Sequence, residues 1–311
     1  MKKISIVVPM YNEEEVAKIC YKRIKENIYK LANFEYEFIF INDGSKDNTL
    51  NILKEIAKTD NRVKVISFSR NFGHQSALSA GFKEVSGDVC LIIDADLQDP
   101  PELIPDMLEL WEDGNDIIYG KRKSRKGESA FKLFSAKVYY KILNALSEVS
   151  IPKDTGDFRL VDRKVIDIIN NMPEHNKFFR GLFSFVGFKQ KEYEYERQKR
   201  YLGKTKYSLK KMLNLASNGI IGFSNKPLKL SLYVGTLSLV ASILFVIYCV
   251  LAYILKIESL SFEWATIMIV LTFLCGILLI SIYILSEYIS RIYDEVKGRP
   301  EYIIDEKINI E

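Results

Sequence analysis

Two aspartates one residue apart, in the run Leu91-Ile92-Ile93-Asp94-Ala95-Asp96-Leu97-Gln98-Asp99-Pro100-Pro101, are the side chains best placed to do chemistry. Val89 to Ile93 is a short apolar run of the kind expected for a strand covered on both faces, and Pro100-Pro101 starts a new element. The acids therefore stand at the carboxyl end of a strand, the edge where open α/β sheets bind ligands. Asp94, Asp96 and the amide oxygen of Gln98 are hard oxygen donors suited to Mg2+ or Mn2+, and an ion held there would carry a diphosphate. Asp-x-Asp alone is more readily a surface loop whose aspartates cap a helix. The polar groups elsewhere in the chain reverse that balance.

Three further strand ends carry such groups. Tyr11 with Glu13, then Asp43, then Arg70 offer an aromatic face for a base, a carboxylate accepting from a pyrimidine imide or a ribose, and a nearby cation. A packing tyrosine and a turn aspartate are the plain alternatives for Tyr11 and Asp43. Lys121-Arg122-Lys123 and Arg125-Lys126 form a basic loop that would meet phosphates or else a solvated charge run. Asp154-Thr155-Gly156-Asp157-Phe158-Arg159 is a second polar knot that brings another carboxylate and arginine. Arg200-Tyr201-Leu202-Gly203-Lys204-Thr205-Lys206-Tyr207 is a basic, glycine-containing loop suited to anionic headgroups or phosphates.

The elements that position these residues alternate strand and helix. Ile4 to Val8 predicts a first strand ended by Pro9, followed by a charged helix to about Lys30. Glu37 to Asn42, Val63 to Ser69 and Asp88 to Ile93 predict three more strands, with helices from Asp47 through about Thr59 and from Gln75 to about Lys83. Asp116 to Gly120 is a fifth strand. The βα order predicts a mostly parallel, doubly wound sheet with polar residues at the strands' carboxyl ends. Neither GxGxxG nor a Walker A sequence occurs, so a Rossmann dinucleotide site and a P-loop are unavailable.

The second part of the chain has a different character. Leu230 to Leu255 and Ala265 to Ser286 contain no charged residue in 26 and 22 positions, each long enough to span a bilayer. Only Lys256 to Glu263 joins them, which predicts a two-span helical hairpin with both flanks on one side. Lys204, Lys206, Lys210, Lys211, Lys226 and Lys229 before the first span, and Arg291, Lys297 and Arg299 after the second, put those flanks in the cytoplasm. A buried core hairpin is the alternative. Leu209, Met212, Leu213, Ala216 and Ile220 form an amphipathic stripe for the bilayer surface, whereas Phe131, Phe134, Val138, Ile142 and Leu146 read as core, with a helix resting on the membrane as the alternative. The expected organisation is a cytoplasmic catalytic domain over 1–206, an interfacial segment over 207–227, a two-helix membrane domain over 228–290 and a cytoplasmic tail over 291–311. A net charge of +4 without a dense basic stripe gives no nucleic-acid signature. Cys20, Cys90, Cys249 and Cys275 lack CxxC spacing and read as reduced packing residues.

Val8-Pro9-Met10-Tyr11-Asn12-Glu13, Asn42-Asp43-Gly44-Ser45, Ser69-Arg70-Asn71-Phe72-Gly73, Asp94 to Pro100 and the Arg200 to Tyr207 loop, in this order, resemble the family-2, GT-A-fold glycosyltransferases that act on polyprenyl phosphates. The nearest group is similar to bacterial undecaprenyl-phosphate glucosyltransferases, with dolichol-phosphate mannosyltransferases further off. The resemblance covers essentially the whole chain.

It implies a nucleotide-diphosphate sugar held by Pro9, Tyr11, Glu13, Asp43, Arg70, Asp94, Ala95 and Asp96, and a divalent metal at Asp94, Asp96 and Gln98. It also implies catalytic roles for Asp157 and Asp96, phosphate contacts from Arg122, Arg200 and Lys206, and a homo-oligomer at the plasma membrane. Lys204-Thr205 stands where relatives often carry Glu-Ser, which alters the charge of the acceptor loop. The implied reaction is inverting sugar transfer to a polyprenyl phosphate. A nucleotide-sugar-binding export partner is the rival outside enzymes. A polysaccharide synthase is the rival within them, although no QxxRW-type motif is present.

Overall fold

A computed structural model describes residues 1–31, 33–123, 152, 155–175, 177–198, 226–255 and 263–310. The chain forms two units: a sheet with its helices, to which the residues from Pro300 onward belong, and a pair of long helices.

The four expected strands and the three helices between them are present. Strands β1 (Lys2–Met10), β2 (Phe34–Asn42), β3 (Val63–Phe68) and β4 (Val89–Ile92) alternate with helices α1 (Ala17–Ile28), α2 (Thr49–Thr59) and α3 (His74–Lys83). After β4 come a short 3-10 turn, Pro101–Leu103, helix α4 (Ile104–Glu112) and strand β5 (Ile117–Arg122). The parallel pairs β4–β1, β1–β2 and β2–β3 form the centre of the sheet. Alternate residues of β1 serve opposite faces, as strand geometry requires. Ile4, Ile6, Val8 and Met10 join the core beneath α1, α2 and α4, while Val7 meets Gly81 of α3 on the other face. A Cβ on Gly81 would stand 2.5 Å from Val7, so glycine here permits the close approach of helix to sheet.

Two strands make the sheet mixed, not simply doubly wound. Strand β6 (Thr155–Asp162), which takes in most of the Asp154 to Arg159 run read from sequence as a polar knot, inserts antiparallel between β4 and β5. Its run is polar at Asp157 and Arg159, which conceals the strand pattern, yet both residues are buried. Helices α5 (Arg163–Asn170) and α6 (Phe179–Phe185) follow, then β7 (Gln190–Tyr195), parallel to β5 at one edge of the sheet. Asp162 starts α5 by accepting from the Lys164 N–H at 3.0 Å, an N-cap bond, and also accepts from Trp111 Nε1 at 2.8 Å.

The second inserted strand comes from the end of the chain. The stretch expected to be a tail supplies β8 (Ile304–Ile308), antiparallel to β3 at the other edge, giving the order β7-β5-β6-β4-β1-β2-β3-β8. Tyr302 stacks on Phe68 at 4.9 Å, and Glu301 accepts from Ser79 Oγ at 2.7 Å. Pairing there covers the edge that β3 would otherwise expose.

The second unit contains α7 (Lys226–Ile254, 29 residues) and α8 (Glu263–Lys297, 35 residues), which contact one another. The second helix continues beyond its apolar run through Arg291 and Lys297. Among the described residues, one stretch, Phe273–Lys297, is long and apolar enough to cross a membrane. Large apolar side chains such as Leu237 and Leu279 are exposed at 70% and 66%. The Phe131 to Leu146 stripe, the segment 207–225 and the loop 256–262 lie outside the described residues.

Candidate active site

Strand direction determines which side chains meet. The carboxyl ends of β1 to β5 share one edge of the sheet, and the reversed β6 brings its amino end to that same edge. Ile92 of β4 lies opposite Arg159 of β6. Continuing that antiparallel register by two residues sets Asp157 across from Asp94. The run after β4 turns sharply: Leu97 adopts φ 56°, a left-handed conformation uncommon for a leucine and typical of sites whose surroundings over-determine the backbone. The Gln98 N–H closes the turn on Asp96 Oδ1 at 3.1 Å.

Four residues from four segments form the first cluster. Arg180, in the first turn of α6, donates from Nε and Nη2 to the two oxygens of Asp157 at 2.8 and 2.9 Å. His74 Nε2 lies 3.2 Å from Asp157 Oδ2 and 3.9 Å from Asp94 Oδ1. Burial alone would raise the Asp157 carboxyl, but Arg180 and His74 hold it well below the usual carboxylate range. Burial works the other way on His74, and Asp157 and Asp94 overcome it to raise the imidazole. At Asp94 the compensation is too small. Burial pushes it up to about 6, and Asp157, Asp96 and Asp99 add to that against the pull of His74.

A second cluster stands beside it. Asp99 is fully buried and accepts a hydrogen bond from Tyr195 of β7, with Arg197 Nε 3.9 Å from the same carboxyl oxygen. Burial raises the Asp99 carboxyl, and Arg122 is the strongest influence opposing it. Arg122 itself is raised by Asp99 and Tyr195, which outweigh the effect of burial. A Cβ on Gly156 would lie 2.7 Å from Arg122 Nη2, so a side chain there would displace the guanidinium. Arg122, expected in a loop, is the last residue of β5.

The third group knits the first two loops together. Asn12, at φ 52°, donates its N–H to Ser45 Oγ at 2.9 Å, and the Glu13 N–H donates to Thr49 Oγ1 at 2.8 Å. The Asp43 carboxylate accepts from the Phe72 N–H at 2.7 Å, the Gly73 N–H at 3.0 Å and Asn71 Nδ2 at 2.7 Å, fixing the loop that leads into α3. Gly44, at φ 62°, passes so close to the Arg70 backbone that a Cβ would stand 2.2 Å from its carbonyl carbon. Arg70 is exposed and stacks on Phe72 at 3.9 Å. Tyr11 and Glu13 are half-buried beside these loops, whereas Pro9 and Ala95 are buried.

The structure thus gathers Asp94 and Asp157 through His74, and sets Asp96, Gln98, Asp99 and Arg122 close by. Arg200, Lys206, Asp154 and the Arg125-Lys126 pair lie outside the described residues. Sequence reasoning assigned no role to His74, Asp99, Arg180, Tyr195 or Arg197. A histidine directly after the Phe72-Gly73 turn, one of two in the chain, was the available signal. Arg180 had none.

The donor set fits a divalent cation. Asp94, Asp96 and the Gln98 amide would offer oxygen donors from one tight turn, and burial, with Asp157, Asp96 and Asp99 nearby, raises the Asp94 carboxyl, a cost that a cation would relieve. Among the described residues no three His, Cys, Asp or Glu side chains converge on one point. A cation would therefore complete its shell from donor phosphate and water, as Mg2+ commonly does.

Comparison with known proteins gives a consistent result. Residues 5–169 match glycosyl transferase family 2. A Bacillus subtilis (strain 168) protein described as the uncharacterized glycosyltransferase YkcC is 48% identical over 99% of this chain and 94% of its own length. A prophage bactoprenol glucosyl transferase homolog of Escherichia coli (strain K12) is 42% identical over 97% of this chain and 98% of its own. Among solved structures, glucosyl-3-phosphoglycerate synthase from Mycobacterium tuberculosis is 18% identical over 71% of this chain and 78% of its own, with a TM-score of 0.47. By its sequence match and by relatives aligned over nearly their whole length, this chain belongs to glycosyl transferase family 2 and is a glycosyltransferase.

Proposed function

We propose that this enzyme transfers a hexose, glucose first among the candidates, from a UDP-sugar to the phosphate of a polyprenyl lipid, undecaprenyl phosphate, with inversion at the anomeric carbon. The product is a lipid-linked sugar for cell-envelope glycosylation. The observation that carries the reading is the facing pair of Asp94 and Asp157 at the strand edge, with Arg180 on Asp157 and Arg122 on the neighbouring Asp99. Relatives named bactoprenol glucosyl transferases, 41% identical over 97% of the chain, support the lipid acceptor.

In this reading an acceptor phosphate oxygen attacks the anomeric carbon as its bond to the nucleoside diphosphate breaks. Tyr11, Glu13, Asp43 and Arg70, with Pro9 and Ala95 behind them, hold the nucleoside. Arg122, Arg200 and Lys206 bind phosphates and offset the charge that collects on them. Asp94, Asp96 and Gln98 would hold Mg2+ or Mn2+, which would supply neutralisation of the leaving diphosphate. Asp157 orients groups at the reacting centre.

The two long helices anchor the protein as a membrane hairpin, with 1–206 and 291–311 on the cytoplasmic side and 207–227 at the interface. Uncharged runs of 26 and 22 residues and the exposed apolar side chains of both helices support this. The working form is a homo-oligomer. Purified full-length protein, given labelled UDP-glucose and undecaprenyl phosphate, should yield solvent-extractable labelled lipid. No lipid product across a panel of UDP- and GDP-sugars would reject the reading.

A further inference from the structure

Asp157 is fastened from two sides. Arg180 binds both of its oxygens at 2.8 and 2.9 Å, and His74 stands 3.2 Å from one of them. Arg180 is itself held by its neighbours. The Phe179 N–H donates to Gln75 Oε1 at 3.0 Å, and Phe179 and Phe183 pack on Phe82 at 5.0 and 6.2 Å. The amino ends of α3 and α6 thus meet around one carboxylate: His74 and Gln75 from the first, Phe179 and Arg180 from the second. Arg180 has a side-chain exposure of 20% and Asp157 one of 7%, so the pair is shielded from the solvent that would loosen it. A planar guanidinium matched to both oxygens fixes the plane of a carboxylate as well as its place, which a lysine ammonium does not. A side chain collecting a proton in the reaction needs an oxygen turned toward the acceptor. Here both oxygens already accept from Arg180, which fixes where their remaining lone pairs point.

We propose that Arg180 is a positioning residue for the sugar transfer, its fork locking Asp157 as an oriented anion at the reacting centre instead of leaving it to act as a proton acceptor. This rests on the polyprenyl-phosphate transferase reading. It adds to that reading a residue outside every motif that suggested it, and it states what Asp157 is held to do. Positioning effects of this kind are worth about 100-fold in rate when the orientation slips.

The test uses the full-length protein in detergent with UDP-glucose and undecaprenyl phosphate, comparing the parent with Arg180→Lys and Arg180→Gln. Binding of UDP and the melting temperature serve as readouts independent of turnover. Arg180→Gln should lower kcat about 100-fold, with the donor KM and UDP affinity within about threefold of the parent. Arg180→Lys, which keeps the charge and loses the fork, should stay at least about 10-fold down. Parent-like kcat in the lysine variant would show that charge alone suffices and overturn the proposal. So would parent-like kcat in the glutamine variant, or a joint collapse of UDP binding and melting temperature in both variants, which would mark a purely structural bond. A parent chain without turnover on any nucleotide sugar and polyprenyl phosphate would instead sink the functional reading, and the proposal with it.

Discussion

Gln98 and Gln198 clasp one another: the Gln198 N–H donates to the Gln98 carbonyl at 3.0 Å, and the Gln98 side-chain amide donates to the Gln198 carbonyl at 3.4 Å. An amide that gives its nitrogen to Gln198 has its oxygen to offer to a cation. The same clasp ties the acidic turn to the residue just before the basic Lys199-Arg200 segment.

Asp96→Asn should therefore cost on the order of 100-fold in turnover, and Gln98→Ala about 10-fold with a higher Mn2+ requirement. Turnover measured against added Mn2+ checks both, with excess metal partly restoring the glutamine variant. Full activity of either the parent in EDTA or the Asn variant would exclude a metal at this turn.

The hairpin reading predicts a labelling pattern. A cysteine at position 259 should react with a membrane-impermeant thiol reagent in intact cells above the parent background, and one at position 129 should not. The reverse pattern would defeat both the topology and a cytoplasmic donor supply.

Asp157 can be tested by pH. It faces Arg180 and His74, with Asp94 beyond the imidazole, and against the effect of burial Arg180 and His74 keep its carboxyl well below the usual range. It is thus ionised through neutral and alkaline pH and makes a weak base. A phosphate-monoester acceptor, with a second pKa of about 6, would arrive largely deprotonated. Asp157→Asn should lower kcat on the order of 100-fold, by a factor that stays constant from pH 7 to 9. A relative rate recovering in proportion to hydroxide would assign Asp157 the proton-accepting role instead.

Stability should depend on Glu37 at the opposite edge of the sheet. Burial disfavours its charge. Ser5 Oγ at 2.5 Å, Lys3 Nζ at 2.9 Å and Ser86 N–H at 2.9 Å outweigh that, Lys64 Nζ stands at 3.0 Å, and the carboxyl is held at about 2. A carboxyl lowered by folding contributes stability that is full above the unfolded value, about 4.3, and lost as pH falls toward 2. Glu37→Gln should cost about 3 kcal/mol at pH 7, with the difference shrinking below pH 4. Matching melting curves of parent and variant at pH 7 would refute this.

The sequence by itself determined the repeating βα frame, the acidic turn after β4 and the two uncharged runs. Each is a local signal: an apolar run, a turn residue or a charge pattern is complete within a few residues of the chain. It also named Asp94, Asp96, Asp157 and Arg122, though not the strand that carries Asp157. Only the tertiary structure decided that β6 runs backwards between β4 and β5, because Asp157 and Arg159 break the apolar run that would have announced a buried strand. Once Arg159 is buried over the Phe183 ring at 4.8 Å, the polar interruption becomes part of the packing. His74, Arg180, Asp99 and Tyr195 come from segments far apart in sequence, and their meeting follows from strand order and register. Those depend on long-range pairing, as does the docking of β8 against β3, and no local pattern of residues encodes which distant partner a strand or helix end will find.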